Sequence, residues 1–277
     1  MTITWKYTSA ILVSLALFSF IWKQQAHATG PFQQVNNYSL YYGNPNVQAM
    51  AKLKTKDLVI IEPQLYTREQ IQDIQAAGTL VIGYLSVMET PSWNQLRTEE
   101  LREQDYFLHN DERIHFSKWN SYLMDLREAH YRQLLLSEIE ASITSKGMQG
   151  IFLDTVGDID DYMKDMEAQA PMREAYAAFL QEVKASYPGL SVIQNRGFDT
   201  LDDSAAYIDA LLWEDWRGNW KKDPWTKARV ERLQQEQKKG LVVFTLTMNK
   251  ESSPGREARK LNFIPLNAPD GYTKKVY

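Results

Sequence analysis

Apolar residues along this chain gather in short continuous runs rather than alternating strictly with polar ones. Eight such runs, at residues 38–42, 58–62, 80–86, 150–154, 191–195, 210–214, 241–247 and 262–266, predict eight strands. A strand that is apolar at successive positions is covered on both faces, the condition of a parallel sheet wrapped by helices. Helix signals fill the intervals. Asn44-Pro45 supplies a cap and a start, Thr67 with Gln70 spells a capping box for a helix that stops at Gly78, and a stretch after Arg127 ends at Gly147. Two more run from Pro171 to just before Pro188-Gly189 and from Thr226 to Gly240. The alternation predicts an α/β fold, a single (β/α)8 TIM-type barrel, with a long excursion over residues 90–125 after the third strand.

The first 28 residues stand outside that pattern. Lys6 precedes a mostly apolar run over 10–22, and Ala26-His27-Ala28 places small residues where a signal peptidase reads. The run is shorter than the roughly 20 residues a membrane-spanning helix needs. The expectation is a signal peptide over 1–28, or an N-terminal anchor if it stays uncleaved, and a secreted or extracytoplasmic barrel domain over 29–277. Any membrane contact would come through that first segment alone.

Composition removes several classes of function. The chain has 277 residues and no cysteine, so a disulfide scaffold, a thiolate-held zinc and a catalytic thiol are excluded. Without residues 1–28 it carries 29 basic against 35 acidic residues, a net charge of −6, which argues against a nucleic-acid partner. Eight Trp and fifteen Tyr suit a ligand with rings to stack on or positive charge to hold. His109, His115 and His130 fall at no strand end, and neither a phosphate-binding Gly-rich loop, a dinucleotide fingerprint nor a G-x-S-x-G elbow is present. No metal and no cofactor are implied.

Active sites of such barrels lie at the C-terminal ends of the strands. Those ends read Tyr42, Glu62, Ser86 followed by Glu89, Asp154, Asn195 and Glu214. Converging carboxylates suit cleavage of a glycosidic bond, in which one acid protonates the leaving oxygen and an ionised partner acts as nucleophile or base. Glu214 stands between Trp213 and Trp216, an apolar wall expected to favour its protonated form. Asp154 precedes Thr155 and a turn at Gly157, where backbone donors are expected to keep it ionised. Asp154 and Glu214 are thus the candidate catalytic pair. Tyr42, Glu62, Tyr84, Glu89, Asn195, Trp213 and Trp216 are candidates for holding substrate. Asp158, Asp160, Asp161 and Asp215 read as caps or solvated acids, and Asp125 with Arg127 as a structural ion pair tying the excursion to the rim.

Five strings, GYLSVME (83–89), YLMDLR (122–127), GIFLDT (150–155), IQNRG (193–197) and LLWED (211–215), resemble glycoside hydrolase family 114. This is the endo-α-1,4-polygalactosaminidase family, which includes the hydrolase domain acting on the Pel biofilm polysaccharide. The likeness runs from about Tyr38 to Pro269. It implies a (β/α)8 barrel and a cationic, partly deacetylated galactosamine-containing polysaccharide as substrate. The family's catalytic acids fall here on Asp154, as nucleophile or base, and Glu214, as general acid, 60 residues apart. Two departures bear on substrate contacts: Met88-Glu89 stands where the family often has Gly-Glu, and Glu62-Pro63 where it often has Asp-Pro. An alternative is a carbohydrate-binding barrel without turnover, a scaffold in polysaccharide export or biofilm assembly.

Overall fold

The computed structural model describes residues 30–163 and 167–277; the export segment expected over 1–28 lies outside them. Eight strands form one sheet in chain order: β1 (Tyr38–Tyr41), β2 (Leu58–Ile61), β3 (Leu80–Ser86), β4 (Gly150–Asp154), β5 (Ser191–Asn195), β6 (Ala210–Trp213), β7 (Val242–Thr247) and β8 (Ile264–Asn267). Every neighbouring pair is parallel. The sheet curls until β8 lies beside β1, and just past the two strands Tyr42 N–H donates to the Tyr272 carbonyl at 3.0 Å. The expected barrel is therefore the observed one. The last strand begins two residues later than its apolar run suggested, because Asn262 sits in a left-handed turn (φ 57°).

Helices cover the outside: α1 (Val47–Leu53), α2 (Arg68–Gln75), α3 (Ala129–Glu138), α4 (Gln169–Ser186), α5 (Leu201–Ser204), α6 (Pro224–Gln237) and α7 (Ser253–Lys260). Their starts follow local chemistry. Thr67 and Gln70 close the capping box of α2, and Asp223 accepts from Thr226 N–H ahead of Pro224 in α6. Helix α3 runs on through a π-helical turn, Ile139–Thr144. That turn brings Ile143 against β3 at Gly83, where a Cβ would stand 2.8 Å from Ile143 Cγ1 and 2.9 Å from Met148 Sδ. Only glycine fits there.

Side chains along each strand alternate between two cores. Tyr38, Leu40, Leu58, Ile60, Ile82, Phe152, Ile193, Ala210, Leu212 and Phe244 fill the barrel interior. Their sequence neighbours Val59, Ile61, Val81, Ile151, Leu153, Val192, Leu211, Trp213 and Val243 pack outward against helix residues such as Leu53, Ile74, Leu135 and Phe179. This parity decides which strand-end residues reach the mouth. Tyr42, Glu62, Tyr84, Asp154, Asn195 and Glu214 all share the inward phase, whereas Trp213 shares the outward one.

The excursion after β3 is ordered. Glu89–Pro91, Ser121–Leu123 and His115–Phe116 form a small antiparallel sheet, and Leu108–His109 pairs with Glu112–Arg113 across a turn with Asn110 and Asp111 at positive φ. A buried ion pair pins it: Arg97, 1% exposed, meets Glu138 of α3 and also donates to the Glu89 carbonyl and the Tyr131 hydroxyl. Asn94 Nδ2 supplies Glu138 with a second donor at 3.0 Å. Asp125 and Arg127 do form an ion pair, within their own turn. The tie from that turn to the rest of the excursion is Asp125 N–H to the Asp105 carbonyl at 2.8 Å.

Candidate active site

Asp154 closes β4, and Glu214 directly follows β6. Between them, at the end of β5, Asn195 turns its amide inward. Its Nδ2 donates to Asp154 Oδ1 at 2.7 Å and to Glu214 Oε2 at 3.0 Å. One nitrogen therefore holds an oxygen of each carboxyl, and the two oxygens lie no more than about 5.7 Å apart. Asn195 is 5% exposed, and its Oδ1 has no hydrogen-bond partner among the described residues.

The backbone turns in the same way after each of these three residues. Thr155, Arg196 and Asp215 have φ of 67°, 54° and 60°, the left-handed region that non-glycine residues seldom occupy. The turn swings the chain away from the mouth and leaves the preceding side chain at the pocket. For β-branched Thr155 the conformation is costly, on the order of 1–3 kcal/mol, and its hydroxyl offsets part of that. Thr155 Oγ1 accepts from Val87 N–H (3.2 Å) and Met88 N–H (2.8 Å) and donates to the Asp154 carbonyl (2.6 Å). Thr155 N–H meanwhile donates to Asp154 Oδ1 at 2.8 Å, the backbone donor expected at this position.

Burial, and then the nearby charge of Asp154, raise the Glu214 pKa above the ordinary carboxyl value. The direction is the expected one, but the neighbours differ from expectation. The groups bonded to the Glu214 carboxyl are Asn195 and the hydroxyl of Tyr272, which donates to Oε1 at 3.3 Å. Trp213 and Trp216 are 5% and 1% exposed and pack edge to face with each other. Phe198 adds to this cluster on one side and Phe263 on the other, and Trp216 Nε1 donates to the Pro254 carbonyl at 2.9 Å. The two indoles line a pocket of about 320 Å³ beside Glu214, together with Arg196 and Trp225. Both indoles are buried, with Trp213 on the outward-facing side of β6.

Tyrosines surround the carboxylates instead. Tyr42 packs edge to face on Tyr84 (4.8 Å) and Tyr272 (5.1 Å). Burial, reinforced by the charge of Asp154, holds the phenols of Tyr42 and Tyr84 well above their usual pKa. Tyr272 is raised in the same direction, first by burial and then by Glu214. All three remain neutral O–H donors at physiological pH. Tyr272 comes from the segment after β8, which the strand-end survey did not include.

Glu89 reaches the site from the excursion rather than from a barrel strand. It accepts from Ser121 Oγ and faces Asp158, and burial is the first cause of the raised pKa of both acids. Asp158 Oδ2 is buried without a hydrogen-bond partner among the described residues. Two carboxyls in contact share a proton more readily than both ionise. Asp158, expected to be a cap or solvated acid, thus belongs to the same cluster as Asp154. Asp160 is structural: it takes Asp199 N–H (2.9 Å), Thr200 Oγ1 (2.9 Å) and Arg173 (3.2 Å).

Glu62 caps the turn Pro63–Leu65 by accepting from Gln64 N–H at 3.4 Å, and burial pushes its pKa up to about 7. A carboxyl raised on folding binds a proton that the unfolded chain releases near pH 4.5. Its contribution to stability is therefore present below that pH and is lost as pH rises through about 7. The Glu62→Gln variant keeps an acceptor for Gln64 and has nothing to titrate. Its unfolding free energy is expected to fall less than the parent's between pH 4.5 and 8, by up to about 3 kcal/mol. Parallel curves for the two proteins in urea titrations across that range would refute the assignment.

A larger cavity, about 910 Å³, lies at the other end of the barrel, lined by Phe32, Val35, Leu241 and Asn262 among others. It is remote from the acids.

A family model described as Glycoside-hydrolase family GH114 matches residues 22–263 of the chain. Among solved structures, the glycoside hydrolase domain of PelA from Pseudomonas aeruginosa is similar at TM-score 0.70 and 21% identity, covering 86% of this chain and 97% of that one. Ega3 of Aspergillus fumigatus, solved in complex with galactosamine, is similar at TM-score 0.65 and 15% identity, covering 91% and 99%. Amy13B of Eubacterium rectale shares the fold more loosely, at TM-score 0.54 and 11% identity, covering 87% and 69%. No curated protein sequence matches the chain. At these identities the structural likeness speaks to the barrel, and the family match speaks to its chemistry. By that match over most of its length, with two carboxyls joined through one amide at the barrel mouth, the chain belongs to glycoside-hydrolase family GH114 and is a glycoside hydrolase.

Proposed function

We propose that this enzyme is exported and cuts internal α-1,4-galactosaminide bonds in a cationic, partly deacetylated galactosamine polysaccharide, with Asp154 as nucleophile and Glu214 as general acid/base. The observation that carries the reading is the bridge through Asn195, whose one nitrogen holds an oxygen of Asp154 and an oxygen of Glu214, the acid with the raised pKa. The mouth supports a cationic substrate, because Glu89, Asp154, Asp158 and Glu214 cluster there and leave negative charge even with one proton shared by Glu89 and Asp158 and another on Glu214. An acidic cleft concentrates a polycation and loses that advantage as salt screens it. The Ega3 structure, with its bound galactosamine, supports the same substrate class.

In the first step Asp154 forms a bond to the anomeric carbon while the glycosidic C–O bond breaks. The Glu214 proton goes to the departing oxygen, and positive charge develops on the ring between the two. In the second step water attacks the anomeric carbon, its proton returns to Glu214, and the bond to Asp154 breaks. Tyr272 donates to Glu214 Oε1, and the neutral phenols of Tyr42 and Tyr84 are the donors we assign to sugar oxygens. One oxygen of each carboxyl lies within about 5.7 Å of the other, which supports the close-set pair of a retaining enzyme. The first-formed reducing end is expected to keep the α configuration, which proton NMR during early turnover reads directly; a β-anomer appearing first would exclude Asp154 as nucleophile.

The deciding experiment is digestion of a partly deacetylated α-1,4-galactosamine polymer by the wild-type protein, followed by mass spectrometry. Oligosaccharides of several lengths are expected, with the rate falling as salt increases. Binding without release would favour the scaffold role, and release insensitive to salt would favour a neutral glycan.

A further inference from the structure

Two tryptophans of the excursion take no part in the chemistry above. Trp93 is 55% exposed and Trp119 is 57% exposed, in contrast to the buried Trp213 and Trp216. They are brought together by the backbone. Ser92 N–H and Ser92 Oγ both donate to the Asn120 carbonyl, at 2.9 and 2.8 Å. These bonds extend by one rung the ladder that pairs Glu89 with Leu123, Thr90 with Tyr122 and Pro91 with Ser121. Trp93 and Trp119 follow immediately, on the two chains flanking that rung. Leu96, 51% exposed, adjoins them in the next turn. Two open indoles flanking one backbone rung are an uncommon use of apolar surface and mark a contact site.

Two features identify the occupant. The ladder begins at Glu89 in the acid cluster, and the strand Glu89–Pro91 followed by a turn at Ser92–Trp93 brings the chain to the indoles within at most about 13 Å. That is the reach of a few sugar rings, which fits a polymer lying across the cleft and not a monosaccharide. The second feature is Lys118, whose ammonium lies 4.3 Å from the Trp119 ring centroid. The face of that ring already takes a cation.

We propose that Trp93 and Trp119 form a platform, remote from the catalytic pair, that holds an outlying stretch of the aminosugar chain by ring stacking and by cation–π contact with its ammonium groups. This rests on the substrate reading given above. Lys118 is a competitor for the same ring face and repels a cationic chain.

The test measures binding in the Glu214→Gln background, where bond cleavage is suppressed, with a partly deacetylated α-1,4-galactosamine polymer and with the corresponding trimer as probes. Adding Trp93→Ala and Trp119→Ala is expected to raise the Kd for the polymer about tenfold and to leave the trimer unchanged. Lys118→Gln is expected to tighten polymer binding about threefold, a change of opposite sign that no general loosening of the excursion would produce. An unaltered polymer Kd in the double Trp variant, or an equal loss for polymer and trimer, overturns the platform. If the Glu214→Gln protein binds neither probe and the wild type cuts neither, the substrate reading fails and the platform with it, a result distinct from loss of the platform alone.

Discussion

Glu214→Gln is expected to fold as the parent does and to lose about 10³-fold in kcat on polymer, because the amide fills the same space but has no proton to give. The substituted amide can keep its oxygen toward Asn195 Nδ2 and present its NH2 to the Tyr272 hydroxyl, which then accepts instead of donating. Asp154→Asn is expected to lose as much, for the different reason that nothing remains to attack or to balance the charge on the ring. A substrate whose leaving group needs no proton, such as a glycosyl fluoride, separates the roles. Glu214→Gln should recover much of its rate for bond breaking on that substrate, and Asp154→Asn should not. Recovery in the aspartate variant instead would reverse the assignment.

The second large effect concerns stability. Arg97→Ala is expected to destabilise the protein by about 3–5 kcal/mol, read as a shift in the urea midpoint. Glu138 would be left charged in a site where it is now 6% exposed, and the Glu89 carbonyl and Tyr131 hydroxyl would each lose a donor. Pairing the change with Glu138→Leu should restore part of the loss, since the uncompensated charge is its main cause. If the double variant is no more stable than Arg97→Ala alone, lost packing explains the effect better than lost charge. Because Arg97 also braces the backbone beneath Glu89, Arg97→Ala is expected to weaken polymer turnover at temperatures where the fold persists.

How much of this was legible in the sequence follows from strand parity. Gly150, Phe152 and Asp154 are inward on one strand and Ala210, Leu212 and Glu214 on another, so two carboxyls two residues beyond an inward apolar residue had to emerge at the mouth. The same rule, applied strictly, sends Trp213 outward, where it packs on Trp216 beside Glu214. Trp216 lies past a left-handed turn at Asp215, whose geometry no periodicity encodes. Tyr272 was invisible because nothing local marks a residue beyond the eighth strand as facing the sixth. Asp158 was misjudged because its partner, Glu89, arrives from the excursion, whose strands of two and three residues are too short to show a period.

Tyr272 has a consequence for the order in which the molecule becomes active. It stitches the seam of the barrel through its carbonyl and touches Glu214 through its hydroxyl. A chain emerging from the ribosome or from a translocation pore has both carboxyls long before it has this tyrosine. Until the segment after the final strand docks, Glu214 Oε1 lacks the Tyr272 hydroxyl and the seam lacks its Tyr42–Tyr272 backbone bond. The pocket is therefore complete only when the barrel closes.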